Sequence, residues 1–406
     1  MAFKPANNIQ DLQYFGEFGG VNPSISDSST YTFLSAKTMF DTFEGNADGC
    51  YLYSRHSSPS NLYLGEALAA MEGTETANVT ASGMGAITAV LLQLCGAGDH
   101  VISSRTIYGG TYAFLKNFTP RFNIETSFVD ITNLDLVETS ITKNTKVIFC
   151  ESVSNPLLEV ADIKGLTRIA KEHNLKLVVD NTFSPLSISP AKLGADIVVH
   201  SLTKFINGAS DTVAGVICGT QEFINDLRNV NDGACMLLGS TMDSFRSASV
   251  LKNLRTLHVR MQQHSKNALY LAVKFEADGL KTVYPGLKSH PSHQLFKSMM
   301  NHQYGFGGML TIDVGSIEKA NQLMELMQNE NLGYLAVSLG FYKTLFSAPG
   351  TSTSSEIPEE EQEQMGLSDG LIRFSVGLDA DIERTYQMMC RCMEKLNVFE
   401  KEVPSI

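Results

Sequence analysis

The chain has 406 residues and a formal net charge of -12 at pH 7, with 43% hydrophobic and 18% charged residues. That length buries a large core and is enough for two domains, in a globular rather than a disordered balance. The acidity excludes a nucleic-acid backbone as partner, which needs a basic surface. No apolar run approaches the roughly 20 residues of a membrane span. The opening MAFKPANNIQ lacks the apolar core of a secretion signal, and seven cysteines without close pairing fit a reducing cytoplasm.

Residues 1 to about 50 are rich in Ser, Thr, Asn and Gly with weak periodicity. They read as an extended arm, either loosely ordered or docked on another subunit. After Tyr51–His56, a helical pattern through Leu62, Leu64, Leu68 and Met71 ends near Gly73. Ala77–Ala81 is a strand candidate, and Ser82-Gly83-Met84-Gly85 opens a helix running through Leu94. Glycines between a strand and a helix bring backbone N–H groups close to a phosphate, although a tight turn needs glycine anyway. Strands are expected at His100–Ser103, Thr126–Asp130 and Val147–Cys150, the last followed by Asn155-Pro156, a turn signal. A helix from about Ile163 to His173 crosses to the next strand. Strands alternating with helices give an α/β layer with a mainly parallel sheet.

Two further apolar runs carry chemistry. Leu177-Val178-Val179 ends at Asp180-Asn181-Thr182, and Ile197-Val198-Val199 ends at His200-Ser201-Leu202-Thr203-Lys204. Ligands of an open parallel sheet collect at the carboxyl ends of its strands, so an acid and a lysine there face one ligand. A desolvated lysine has a lowered pKa and an amine free for a Schiff base, and an Asp suits a pyridinium nitrogen. Ser201 and Thr203 set hydroxyls beside the lysine, within reach of a phosphate. The plainer alternative is a solvated lysine and a turn-forming Asp-Asn pair.

Beyond Gly219 the pattern becomes more helical, with one long helix expected from about Asp243 to Ala277 and a strand at Met309–Val314. Cys390 and Cys392 read as helix residues. His290 and His293 make a poor metal pair, because Pro291 breaks the helix that would align them. Glu359–Glu361 reads as a solvated helix start. Arg373 lies within the apolar run Leu371–Val376, where an unpaired charge is costly. It pairs with a buried acid or clamps a substrate carboxylate.

Ser201-Leu202-Thr203-Lys204, followed by Gly208, Asp211 and Gly215, resembles the lysine signature of the Cys/Met-metabolism family of enzymes dependent on pyridoxal 5'-phosphate (PLP). The family's other stations follow in order from about Tyr51 to Gly377. The resemblance implies an aminotransferase-like fold (fold type I): a mainly parallel seven-stranded sheet with a smaller α+β C-terminal domain. The expected division is residues 1–50 as an arm contacting a neighbouring subunit, 51–242 as the PLP-binding domain and 243–406 as the smaller domain. It assigns the cofactor and the base to Lys204, and the pyridine nitrogen to Asp180, with Thr182 beside it. The phosphate falls to Gly83, Met84, Ser201 and Thr203, and the ring hydroxyl to Asn155. Tyr108 is assigned ring stacking and a proton for the leaving group, and Ser338 and Arg373 the substrate carboxylate. Tyr53 and Arg55 are assigned to the phosphate of the neighbouring subunit's PLP, which implies a homo-oligomer, in this family usually a tetramer of paired dimers.

Within the family, YSRH at residues 53–56, MLLGSTM from Met236 to Met242, Ser347–Glu356, Gly110 and Ala209 resemble the plant-type methionine γ-lyase branch. The expected reaction is γ-elimination of L-methionine to methanethiol, 2-oxobutyrate and ammonia. The alternatives are O-acetylhomoserine sulfhydrylase, then cystathionine γ-lyase or a cysteine desulfhydrase. Lys343 stands where the family commonly has a glutamate. A dinucleotide-binding oxidoreductase fails, since Ser82–Gly85 lacks the third glycine and the acidic ribose partner.

Overall fold

The computed structural model describes residues 3–47, 49–350, 352 and 358–398. Its larger sheet is built from β1 (Thr76–Thr80), β2 (His100–Ser104), β3 (Glu125–Val129), β4 (Thr145–Glu151), β5 (Lys176–Asp180), β6 (Ile197–Ser201) and β7 (Gly215–Gly219). The order is β1-β7-β6-β5-β4-β2-β3, parallel from β3 to β6, with β7 antiparallel to both β6 and β1. The apolar runs are continuous because both faces are covered. Along β4, Ile148 and Cys150 enter one core with Leu68 and Val198, whereas Val147 and Phe149 enter another with Val90 and Val199.

Helix Pro59–Glu72 covers the first face. Ser58 caps it by accepting the N–H of Asn61, Pro59 starts it, and Gly73 ends it with φ 74°. Helix Gly83–Leu94 covers the second, with Ser82 as its cap.

A second sheet comprises β8 (Lys281–Val283), β9 (Met309–Asp313), β10 (Tyr334–Leu335), β11 (Leu345–Ser347) and β12 (Leu371–Ser375), in the order β10-β11-β12-β9-β8. Ile312, Ile372 and Phe374 face Leu271, Leu323 and Met389 on the helices Leu257–Ala277, Ile317–Asn329 and Ile382–Lys395. The α/β class and the seven-stranded sheet are as expected.

Local readings need correction in several places. The expected strand at Thr126–Asp130 begins and ends one residue earlier. The single helix expected over Asp243–Ala277 is two, Ser244–Leu254 and Leu257–Ala277. The break frees the carbonyl of Asn253, which accepts from Arg260; the same guanidinium donates to the carbonyls of Phe205 and Ile206 and ties the second helix to the loop after β6. The arm is partly helical, at Pro5–Gln10 and Ala36–Phe43. The first of these lies on helix Pro59–Glu72, where Asn8 donates to the Ala70 carbonyl and Tyr14 to that of Tyr63. Glu361 is not merely solvated: its carboxylate accepts from Tyr112 Oη at 2.8 Å and Lys116 Nζ at 3.3 Å. His290 Nδ1 accepts the Ser292 N–H, so its Nε2 donates to the Leu158 carbonyl, and His293 bonds the Pro285 carbonyl. Residues 351 and 353–356 of the segment Ser347–Glu356 lie outside the described residues.

On the face of β6 away from its carboxyl-end ligands, His200 Nε2 meets Glu72 Oε1 at 2.8 Å, both residues 1% exposed. Replacing one partner leaves a buried polar atom without its hydrogen bond. We expect Glu72→Leu to lower stability by about 1–3 kcal/mol, read as a fall in the urea midpoint with an unchanged slope.

Candidate active site

β4, β5 and β6 end side by side, with Glu151 opposite Asp180 and Asp180 opposite Val199 in the ladders. Their carboxyl ends open into a cavity of about 270 Å³. The helix after β1, the loop after β2 and β12 of the second sheet supply its other walls, the position at which an open α/β sheet binds ligands.

Lys204 follows β6 and projects into the cavity, where its Nζ donates to Ser338 Oγ at 3.1 Å. The Ser338-Leu339-Gly340 loop reaches this close because Gly340 has φ 80° and a Cβ there would sit 2.4 Å from the Phe205 backbone nitrogen. Burial, with a smaller contribution from the Arg373 charge, lowers the Lys204 pKa to about 8. Arg373 lies on β12 between Ile372 and Phe374, which point into the second core, so its side chain faces the opposite way, into the cavity. It donates to Asn155 Oδ1 at 2.8 Å, which leaves the Asn155 amide nitrogen as a donor, and burial lowers its own pKa to about 10.

Asp180 Oδ1 accepts the Thr182 N–H at 2.9 Å, and Thr182 Oγ1 accepts the Ser201 N–H at 2.8 Å. Burial raises the Asp180 pKa against the lowering effect of the Thr182 hydrogen bonds and the His200 charge. Such a carboxylate calls for a cationic donor. Thr203 Oγ1 accepts the Ala214 N–H at 3.0 Å. The Ser82 hydroxyl and carbonyl occupy the N–H groups of Gly85 and Ala86, leaving those of Gly83 and Met84 at the helix N-terminus facing the cavity. A Cβ at Gly83 would lie 2.8 Å from Ser201 Cβ, so only glycine fits between this helix and β6. Tyr108 lines the cavity from the loop after β2.

The structure therefore brings Gly83, Met84, Tyr108, Asn155, Asp180, Thr182, Ser201, Thr203, Lys204 and Arg373 into one cavity, with Ser338 on Lys204. It does not bring Tyr53 and Arg55 there. Arg55 donates to the Met236 carbonyl at 2.9 Å beneath the half-exposed Tyr53 ring, beside a separate small cleft. Lys343 also lies elsewhere, over the Tyr334 ring. Glu151 was missed by the sequence reading, although it ends an apolar run in the way Asp180 does.

A family model described as Cys/Met metabolism PLP-dependent enzyme matches residues 7–384. The methionine γ-lyase of Arabidopsis thaliana is 46% identical over 389 residues, 94% of this chain and 88% of that one. The O-succinylhomoserine sulfhydrylase of Pseudomonas aeruginosa is 37% identical, covering 90% of this chain and 88% of its own. Among solved structures, one described as an O-acetylhomoserine (thiol)-lyase from Campylobacter jejuni superposes with a TM-score of 0.89 at 30% identity, covering 97% of this chain and 100% of its own. That structure carries a pyridoxyl-lysine monophosphate. The chain belongs to the Cys/Met metabolism family of PLP-dependent enzymes.

The cavity fits this cofactor on its own evidence. A buried Asp answers a protonated ring nitrogen, a helix start stripped to glycine backbone answers a phosphate, and a desolvated lysine answers an aldehyde.

Lys204 also makes stability depend on pH. The unfolded chain keeps this proton up to about pH 10.5, whereas the folded chain releases it near 8. Across that window the unfolded state binds the extra proton, so the stability contributed by this residue rises with pH. In the cofactor-free protein, Lys204→Met is expected to abolish that rise in the urea midpoint. In the cofactor-loaded protein it is expected to abolish the visible absorbance of the lysine-linked cofactor.

Proposed function

We propose that the chain is a carbon–sulfur lyase that converts L-methionine and water into methanethiol, 2-oxobutyrate and ammonia. The observation that carries this reading is the charge pattern of the cavity. Among the described residues lining it, the charged ones are Glu151, Asp180, Lys204 and Arg373. Val213, Val337 and Leu339 form an apolar wall. One guanidinium and an apolar wall suit an amino acid with a single carboxylate and an uncharged thioether. The second amino-acid end of cystathionine would have no described partner there.

When bound, PLP withdraws electrons from the substrate's α-carbon. Arg373 clamps the substrate carboxylate and thereby aims the α-hydrogen at Lys204. Lys204 Nζ, oriented by Ser338 Oγ, takes that proton and then one from the β-carbon, whose electron pair expels the γ-sulfur; its pKa near 8 makes the neutral amine available close to neutral pH. Asp180 would hold the ring nitrogen and balance its charge. The Tyr108 hydroxyl, at the cavity wall, gives a proton to the departing sulfur. Gly83, Met84, Ser201 and Thr203 hold the phosphate.

The same reading gives Tyr53 and Arg55 to the cavity of a second copy, in a dimer or a tetramer of paired dimers. Exposed Phe15, Phe18, Val21 and Leu34 in the arm support such a partner. It retains residues 1–50 as the arm, 51–242 as the PLP-binding domain and 243–406 as the smaller domain. Cytoplasmic location is supported by seven unpaired cysteines. Among the described residues, no helix is long and apolar enough to cross a membrane.

The deciding experiment is product analysis of the PLP-loaded protein. Methanethiol and 2-oxobutyrate from L-methionine, faster than homocysteine from O-acetylhomoserine plus sulfide, are the expected result. Homocysteine with inert methionine would instead make the protein a sulfhydrylase. Gly110 offers a second test, because a Cβ there would lie 2.6 Å from Tyr108 Cε1. Gly110→Ala is expected to push the ring aside and lower kcat about tenfold with little change in KM.

A further inference from the structure

Glu151 has no role in the reaction as described so far, yet it lines the cavity. It is the last residue of β4, 7% exposed, and its carboxylate divides between two loops. Oε1 accepts the backbone N–H of Tyr108 and Oε2 that of Asn155, both at 2.8 Å. Tyr108 belongs to the loop after β2, at the start of helix Gly109–Ala113, and Asn155 to the turn after β4.

These loops leave neighbouring strands, whose ladder is last registered at Ser103 opposite Phe149. Beyond that point the side chain of Glu151 joins the two backbones. Burial and the neighbouring Asp180 charge push its pKa up to about 8, against the opposing pull of the two backbone N–H bonds and of Arg373, which itself bonds the Asn155 side chain. The carboxylate suits this position because, once ionised, both its oxygens are acceptors only, and the two N–H groups favour that form. An amide has one acceptor and turns a donor toward the other N–H.

We propose that Glu151 is a positioning residue that, by holding one backbone N–H from each loop, fixes the placement of Tyr108 relative to Asn155 and to a substrate carboxylate on Arg373. The kinetic part of the test rests on the lyase reading above, and the spectroscopic part does not.

The test uses Glu151→Gln as holoenzyme. Cofactor content and the KM for L-methionine are expected to stay within about threefold of wild type, while kcat falls by roughly 10- to 100-fold. The circular-dichroism band of the bound cofactor changes as Tyr108 shifts. In a Tyr108→Phe background, the same substitution costs less than about threefold in kcat, because its effect passes through Tyr108.

Wild-type kcat with an unchanged dichroism band overturns the proposal, as does a loss that multiplies in full with Tyr108→Phe. If Glu151→Gln does not fold, Glu151→Asp decides: it keeps the charge but is one methylene too short to span both loops, and wild-type kcat from it overturns the proposal. If the wild-type protein does not turn over methionine, the lyase reading fails, and an unchanged dichroism band in the Glu151 variant is then what overturns the positioning role.

Discussion

Two acids and two basic groups share one cavity at the carboxyl edge of a sheet whose faces are both covered, and much of the site follows from the burial that shifts all four. Alone, any of them would be too costly to bury. The Arg373 charge favours the ionised form of Glu151, whereas Asp180 opposes it and Arg373 opposes a charged Lys204. The desolvation that lowers the Lys204 pKa to about 8 also raises that of Asp180. The features that make the cavity reactive are thus those that make it expensive to fold. The surrounding hydrogen bonds, such as those from Thr182 to Asp180 and from Arg373 to Asn155, offset that cost.

Close backbone approach supports this arrangement. Gly83 lets the helix start sit on Ser201, and Gly340 lets the Ser338 loop rest on the Lys204–Phe205 backbone. Arg260 reaches from the second helical layer to the carbonyls of Phe205 and Ile206, so the loop carrying Lys204 is held from both sides. The reactive amine therefore sits on a rigid support rather than on a free loop, as a positioned base requires. Tyr108 is framed differently. Its ring lies against Gly110 and its backbone hangs on Glu151, so a small residue and a carboxylate set the place of one hydroxyl.

Much of the fold was legible because parallel strands buried on both faces leave continuous apolar runs, and because Ser58, Pro59 and Gly73 mark helix ends by their own local chemistry. Asp180 and Lys204 were legible as polar residues at the ends of such runs. The break at Thr256 was not, since helical periodicity continues through it and the cause is the distant carbonyl partners of Arg260. Glu361 read as solvated because its partner Tyr112 lies far away in the chain. Glu151 carries the same local signal as Asp180. What separates their surroundings is the backbone N–H of Tyr108 from the loop after β2, held together with that of Asn155, which no residue pattern reveals.

The sequence by itself determined the α/β class, a mainly parallel layer and the family signature around Lys204, because strand runs, turn residues and the Ser-Leu-Thr-Lys spacing are local properties of the chain; the count of seven strands came only with the family resemblance. Tertiary structure alone decided that Arg373, from the second sheet, meets Asn155 from the first, and that Glu151 bridges two loops. It also decided that Tyr53 and Arg55 lie outside their own cavity. Those outcomes depend on distances between segments far apart in sequence, and such distances are fixed only when the two sheets pack.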